Sequence, residues 1–175
     1  MSINVQYKSI IKAIAEYENL LSSLSEDEFM QSPPNGGWSF SETYSHIFQT
    51  NLGSLIAAEK CILRTGVHSR QSIHWLAGVI LFFGRFPPGK IKAPERIAAM
   101  VCKISMEDAR NLIIKFKSRL ADIKQRINTA DPHQKIKHPR LGLLNAKQWF
   151  RFIEVHTIHH TRQLKRISAS VREKA

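Results

Sequence analysis

Hydrophobic residues recur at alternating spacings of three and four over four long stretches of the chain. In the first stretch, about 3–24, the inward stripe consists of Ile10, Ile14, Tyr17, Leu21 and Leu24. This spacing places apolar side chains on one face of an α-helix. Comparable patterns predict a second helix over about 39–63, a third that begins after Ser105, and a fourth over about 146–168.

The segments between these helices show no alternation typical of a β-strand. The connection between the second and third helices contains the apolar run Leu76–Phe83, LAGVILFF. It is much shorter than the ~18 residues that span a bilayer, so it predicts a short buried helix or an interface. The segment 131–144 is predicted to be a loop. Together these patterns predict an all-α four-helix bundle formed by a single domain, residues 1–175.

Composition is that of a folded protein, with 43% hydrophobic and 23% charged residues. The N-terminal stretch lacks the features of a secretory signal peptide, which predicts a cytoplasmic location. Cys61 and Cys102 are far apart in the sequence, so neither a disulfide framework nor a zinc ribbon is indicated.

The formal net charge is +12, which favours association with phosphate groups or anionic lipid. The basic residues are spread over the third helix, the 131–144 loop and the C-terminus, a distribution typical of solvated faces. No recognised DNA- or RNA-binding motif accompanies them, so electrostatic binding of nucleic acid is retained only as a third, weaker hypothesis. We expect no membrane association.

The run WFRFIEVHTIHHTRQL, residues 149–164, contains the main candidate for chemistry. His156 and His160 are four residues apart on the predicted apolar face, about 6 Å along the helix axis. Two such rings need polar partners in an apolar setting. Either both bind one divalent metal, as neutral imidazole does with zinc, nickel, iron or copper, or each is a hydrogen-bonded core residue.

A third ligand has to come from another helix, and His46 is the candidate because it lies within the predicted second helix. Its neighbours on that side of the helix are small or polar: Thr43, Gln49, Thr50, Gly53 and Ala57. Two interpretations fit this side: an exposed face, or the wall of a pocket approached by another helix.

Other polar residues are assigned weaker roles. Gln163 shares the inward face and could hydrogen-bond a ligand, whereas His159 points to the edge of the helix. Glu42 is interpreted as part of a helix cap near Ser39 or Ser41, with a general base as the alternative. The remaining histidines are assigned structural roles: His68, His74, His133 and His138.

Three motifs, in order, resemble the DinB-like superfamily. They are WSFSETYSH at 38–46, FPPGKIKAP at 86–94, and HPRLGLLNAKQWF with HTIHHTRQL over 138–164. That superfamily includes DNA-damage-inducible DinB proteins, YfiT-type metal-dependent hydrolases, bacillithiol transferases and mycothiol-dependent maleylpyruvate isomerases.

The resemblance implies an up-down-down-up four-helix bundle, often a homodimer, with a three-histidine site for zinc or nickel. The family's ligands correspond to His46, His156 and His160 in this sequence. Thr50 and Trp149 are candidate residues of the pocket beside them, together with Gln163, His159 and Glu42. No obvious fourth protein ligand exists, which predicts an open site.

Two functions follow as hypotheses. The first is an enzyme whose metal activates water or a thiol, which makes it a hydrolase or a thiol-dependent transferase. Its substrate is a small molecule, and a low-molecular-weight thiol is one candidate partner. The second is a non-enzymatic module that binds metal or dimerises through Leu76–Phe83, because a shared fold does not guarantee chemistry.

Overall fold

Four long helices form a bundle in the computed structural model, which describes residues 1–33, 36–87 and 101–172. In chain order the helices are α1 (Ile3–Ser22), α2 (Glu26–Met30), α3 (Phe40–Ile62), α4 (Trp75–Phe83), α5 (Met106–Arg126) and α6 (Ala146–Arg172), with a 3₁₀ turn at Ile127–Thr129. The predicted four-helix bundle, with a short helix in its long connection, is confirmed. Residues 34–35, and residues 88–100 of the connection between the second and third predicted helices, lie outside the described residues.

Polar side chains fix where the helices begin. Ser39 caps α3 in a capping box: its backbone N–H donates to Glu42 Oε2 at 2.9 Å, and its Oγ accepts from the Glu42 N–H at 3.2 Å. Ser41 instead bonds the backbone N and O of Ile104, each at 2.6 Å, which ties the start of α3 to the segment before α5. Equivalent caps stand at Ser25, Ser105 and Asn145.

The predicted loop at 131–144 is wrong, because this segment contains a β-hairpin. Strands β2 (Gln134–His138) and β3 (Gly142–Asn145) pair antiparallel, and β2 also pairs with β1 (Val67–His68) in the order β1-β2-β3. A Cβ at Gly66 would lie 2.6 Å from the carbonyl oxygen of Lys135, so the close approach of β1 requires glycine. The sheet therefore depends on a pairing between segments far apart in the sequence.

Helix α3 is buried on two sides. Tyr44 and Ile47 face the aromatic core, and Thr43, His46 and Ala57 on the opposite side are buried as well. The large buried aromatic side chains of the core are Tyr17, Phe29, Phe40, Tyr44, Phe48, Phe116 and Phe150. Because α3 packs against both α5 and α6, its small, polar side is an internal wall and not an exposed face.

Helix α4 is held to α6 by a hydrogen bond from an ion-paired arginine but leaves an aromatic face in solvent. The side chain of Arg151 pairs with buried Glu154, and its Nε donates to the carbonyl oxygen of Leu81 at 2.8 Å. Trp75, Phe82 and Phe83 are nevertheless 71%, 81% and 61% exposed. Within the described ranges, no helix is both long enough and apolar enough to cross a membrane.

Candidate metal centre

Three histidine rings from two helices converge between α3 and α6. His156 Nε2 lies 3.3 Å from His46 Nε2 and 3.1 Å from His160 Nε2. All three residues are buried, and each offers a ligand nitrogen within 4.8 Å of the others. In the described part of the chain, no other group of three histidine, cysteine or acidic side chains meets that condition.

A chain of hydrogen bonds fixes the proton of His156 on Nδ1. Thr157 Oγ1 donates to the carbonyl oxygen of Ile153 at 2.7 Å, so it accepts from Asn51 Nδ2 at 2.9 Å. The amide of Asn51 is thereby oriented with Oδ1 toward His156, whose Nδ1–H donates to it at 2.9 Å. The Nε2 of His156 consequently carries a lone pair that points into the cluster.

His160 is oriented in the same way by a residue on its own helix. Its Nδ1–H donates to Gln163 Oε1 at 2.7 Å, which leaves a lone pair on Nε2. The Nε2 atoms of His156 and His160 then face each other at 3.1 Å with no hydrogen between them. Nitrogens bound at 2.0–2.1 Å to a tetrahedral ion lie about 3.3 Å apart, so the observed spacings fit a shared cation.

Aromatic rings hold two of the three imidazoles from the side. Trp38 packs on His46 with ring centroids 4.8 Å apart, and Phe152 stacks on His156 at 5.5 Å. His46 Nδ1 is buried and has no hydrogen-bond partner among the described residues, so its proton position is not fixed as it is in the other two. Packing, more than hydrogen bonding, sets the orientation of this ring.

All three imidazoles are held in the neutral form that binds metal. Burial lowers the pKa of His46 to about 4 and that of His160 to about 3. Burial, together with the neighbouring histidines, lowers the pKa of His156 well below its usual value. At neutral pH the cluster therefore needs to release no proton before coordinating a cation.

A cavity of about 200 Å³ opens beside His46. Its wall includes Thr50 and Trp149, two of the predicted pocket residues, and Gly53, where a Cβ would meet nothing within 4 Å. The hairpin also lines the cavity, through His138 and Pro139. The small, polar side of α3 thus forms the wall of a pocket, the second of the two interpretations that the sequence allowed.

The other predicted site residues are placed as follows. Gln163 contacts His160, as described above. His159 is half-buried and packs its ring against Phe86 at 5.0 Å, outside the cluster of three. Glu42 is engaged in the cap of α3 through Ser39 and does not line the cavity, so the capping interpretation describes its contacts.

Sequence reasoning missed Asn51, Thr157 and His138. Asn51 occupies an inward position of α3, seven residues after Tyr44, where the pattern calls for an apolar residue. A fully buried amide in such a stripe is the signal that could have identified it. His138 was assigned a structural role in a loop, whereas it ends strand β2 and lines the cavity.

A helical bundle with a three-histidine cluster between its helices defines the class of this protein. The family model of the DinB superfamily matches residues 10–164, and the chain belongs to that superfamily. The resemblance stated from the sequence motifs is therefore confirmed. A comparison with curated proteins gave no match.

Two solved structures share the fold. YfiT from Bacillus subtilis, described as "a probable metal-dependent hydrolase with an unusual four-helix bundle topology", is 11% identical, with a TM-score of 0.64 over 97% of this chain and 89% of its own. TT2238, described as a four-helix bundle protein, is 16% identical, with a TM-score of 0.59 over 94% and 98%. At these identities the likeness shows the fold alone.

Proposed function

We propose that this protein is a metal-dependent enzyme in which His46, His156 and His160 hold a divalent ion, zinc or nickel. The reaction is hydrolysis by an activated water or transfer of an activated thiol to a small molecule. The observation that carries the proposal is the pair of facing lone pairs on His156 and His160, 3.1 Å apart, beside a cavity. Three protein ligands leave a coordination position open, as catalytic zinc sites do.

The ion would supply Lewis-acid chemistry, making a water or a thiol acidic enough to act as a nucleophile at neutral pH. The chain's own residues orient the ligands and shield them. Asn51 and Gln163 keep the protons of His156 and His160 on Nδ1, so that both Nε2 atoms stay available. Trp38 and Phe152 cover the rings and limit the access of bulk water.

The description of YfiT as a probable metal-dependent hydrolase supports the hydrolytic alternative. Transfer with a low-molecular-weight thiol is the second alternative, because an ion with three histidine ligands and one open position can activate either a water or a thiol. A screen with both kinds of substrate separates them: activated esters and amides test hydrolysis, and small thiols with electrophilic acceptors test transfer.

The first experiment is elemental analysis of protein purified without chelators. We expect about one equivalent of zinc or nickel in the wild type and a loss of it in His46→Ala, His156→Ala and His160→Ala. His133→Ala is the matched control, because its ring is exposed and lies outside the cluster. Unchanged metal content in His156→Ala would refute the metal site.

Turnover is then compared between metal-loaded wild type and Gly53→Leu. Leucine at this position fills part of the cavity without replacing a proposed ligand. We expect metal content to be retained and turnover to fall at least tenfold. A protein that binds metal at the three histidines but turns over no substrate in either screen would favour a non-enzymatic metal-binding module.

A dimerising role is proposed on a separate observation. The exposed face of α4, formed by Trp75, Val79, Phe82 and Phe83, is apolar, and its contact with water is unfavourable. We propose that it packs against the same face of a second copy, in a homodimer. This interface accompanies catalysis in the enzymatic proposal and is the principal function in the non-enzymatic one.

A further inference from the structure

A histidine of the hairpin lines the cavity beside the cluster, and the proposed metal centre does not use it. His138 is the last residue of β2, and the hairpin carries its ring to the cavity. The ring packs against Phe152, with centroids 4.6 Å apart, and against Trp149 at 5.2 Å. Aromatic packing on two sides leaves the imidazole little freedom to turn.

The position of the proton on His138 follows from its hydrogen bonds. Its Nδ1 accepts from the backbone N–H groups of Arg140 and Leu141, each at 3.1 Å. A nitrogen that accepts these bonds carries a lone pair, so the ring is neutral and its hydrogen is on Nε2. Burial lowers the pKa of His138 to about 4, which agrees with that form.

The Nε2–H of His138 has no acceptor among the described residues. Both hydrogen bonds that this side chain makes with described residues use Nδ1. Its ring also packs against Phe152 and Trp149, neither of which accepts a hydrogen bond from Nε2. The residue that carries this donor lines the same cavity as His46. A ligand in the cavity would therefore lie near both this N–H group and the proposed ion.

Charge around the site selects the kind of ligand. Neutral histidines do not offset the charge of a divalent ion, and the cluster contains no carboxylate. Arg140 is two residues from His138, and its positive charge adds to burial in lowering the pKa of that ring. None of the described residues that line the cavity is acidic, so its surroundings attract an anion.

We propose that the cavity binds a compact molecule bearing a carboxylate, and that His138 Nε2–H donates a hydrogen bond to that group. This inference rests on the proposed function, because the ion supplies much of the positive charge. The cavity, about 200 Å³, is below the roughly 300 Å³ at which small-molecule sites usually begin, so the ligand is small. The apolar wall formed by Trp149, Val101 and Pro139 suits a short aliphatic or aromatic body.

The test uses zinc-loaded protein and calorimetric titration with benzoate, with benzyl alcohol as the uncharged probe of similar shape. Wild type is expected to bind benzoate more tightly than benzyl alcohol, and added salt is expected to weaken benzoate binding. Equal affinity for the two probes would overturn the assignment of an anionic ligand.

Two substitutions separate the role of Nε2 from that of Nδ1. His138→Asn keeps an acceptor near Nδ1 for the turn but has no donor at the Nε2 position; His138→Gln reaches the Nε2 position with its amide nitrogen but loses the acceptor. We expect His138→Asn to keep the melting temperature and weaken benzoate binding about tenfold, the usual effect of one lost hydrogen bond. His138→Gln is expected to melt lower and bind benzoate within threefold of wild type.

The opposite pattern would overturn the inference. If His138→Asn binds benzoate as wild type does while His138→Gln loses binding together with its fold, His138 only organises the turn. Zinc content is measured in every sample. A wild type that holds no zinc refutes the proposed function and this inference with it, whereas a zinc-loaded protein indifferent to His138→Asn refutes the inference alone.

The contribution of charge is tested with Arg140→Gln against Lys115→Gln. Both remove one exposed positive charge, but Lys115 lies on α5, which contributes no described residue to the cavity wall. We expect Arg140→Gln to weaken benzoate binding more than Lys115→Gln does, by about two- to threefold at low salt. Equal effects would show that Arg140 does not act on the ligand.

Discussion

Replacing Asn51 by alanine tests whether the hydrogen-bond chain behind His156 serves metal binding. In metal-free Asn51→Ala, His156 can move its proton to Nε2 and share it with the neighbouring rings, which lie 3.1 and 3.3 Å away. With metal bound, Nε2 is a ligand and the proton must stay on Nδ1. In Asn51→Ala that buried N–H then has no acceptor, a cost that falls on the metal-bound state alone.

An unsatisfied buried donor costs about 1–3 kcal/mol, which corresponds to roughly a 5- to 150-fold loss of affinity. We therefore expect the zinc Kd of Asn51→Ala to rise by about 10- to 100-fold, the range usual for residues that hydrogen-bond a ligand. The assay is competition with a chelating dye at pH 7, alongside thermal unfolding of the metal-free forms.

Asn51→Asp is the matched variant, because its carboxylate still accepts from His156 Nδ1 but cannot donate to Thr157. It should bind zinc more tightly than Asn51→Ala and show lower stability without metal, since the buried charge is then uncompensated. A zinc Kd within twofold of wild type in Asn51→Ala, with its fold intact, would refute the reasoning.

Three further predictions concern stability and assembly. Burial lowers the pKa of His46 to about 4 from its usual 6.5, so the unfolded state binds more protons than the folded state between these pH values. The free energy of unfolding of the metal-free protein should therefore fall by up to about 1.4 kcal/mol per pH unit for this histidine as the pH falls from 6.5 to 4. His46→Phe should show a smaller slope in denaturant titrations. Arg151→Met leaves a carboxylate buried without its partner and should lower the free energy of unfolding by about 3–5 kcal/mol in urea, and a loss below 1 kcal/mol would contradict the ion pair's role. Changing both Phe82 and Phe83 to serine should convert a dimer to a monomer, as measured by light scattering. Ile114→Ser alters another exposed apolar residue and should leave the dimer intact. A wild-type protein that is monomeric at high concentration would contradict the interface.

Helices were predictable from local patterns because their hydrogen bonds and their apolar stripe arise within one segment. The caps at Ser39 and Ser105 were visible in the sequence for the same reason. The hairpin at 134–145 was not, because its strands are short and β1 is only two residues long. Strand preference depends on such partners more than on the residues themselves.

The same distinction applies to the site. Spacing placed His156 and His160 on one face, and the second helix supplied His46, so the three candidate ligands could be named. Which side of α3 faces α6 depends on how the two helices pack together, and the sequence of one helix does not reveal this. Asn51 and His138 were missed because their roles exist only after helices and hairpin meet.

The hairpin has a consequence for how such proteins diverge. All three candidate ligands lie on bundle helices, while one wall of the cavity is supplied by residues 138 and 139 of a small appended sheet. Changes in the length or sequence of the hairpin turn would therefore reshape the cavity without displacing a ligand. The surface turn can thus change in sequence while the three candidate ligands stay in place.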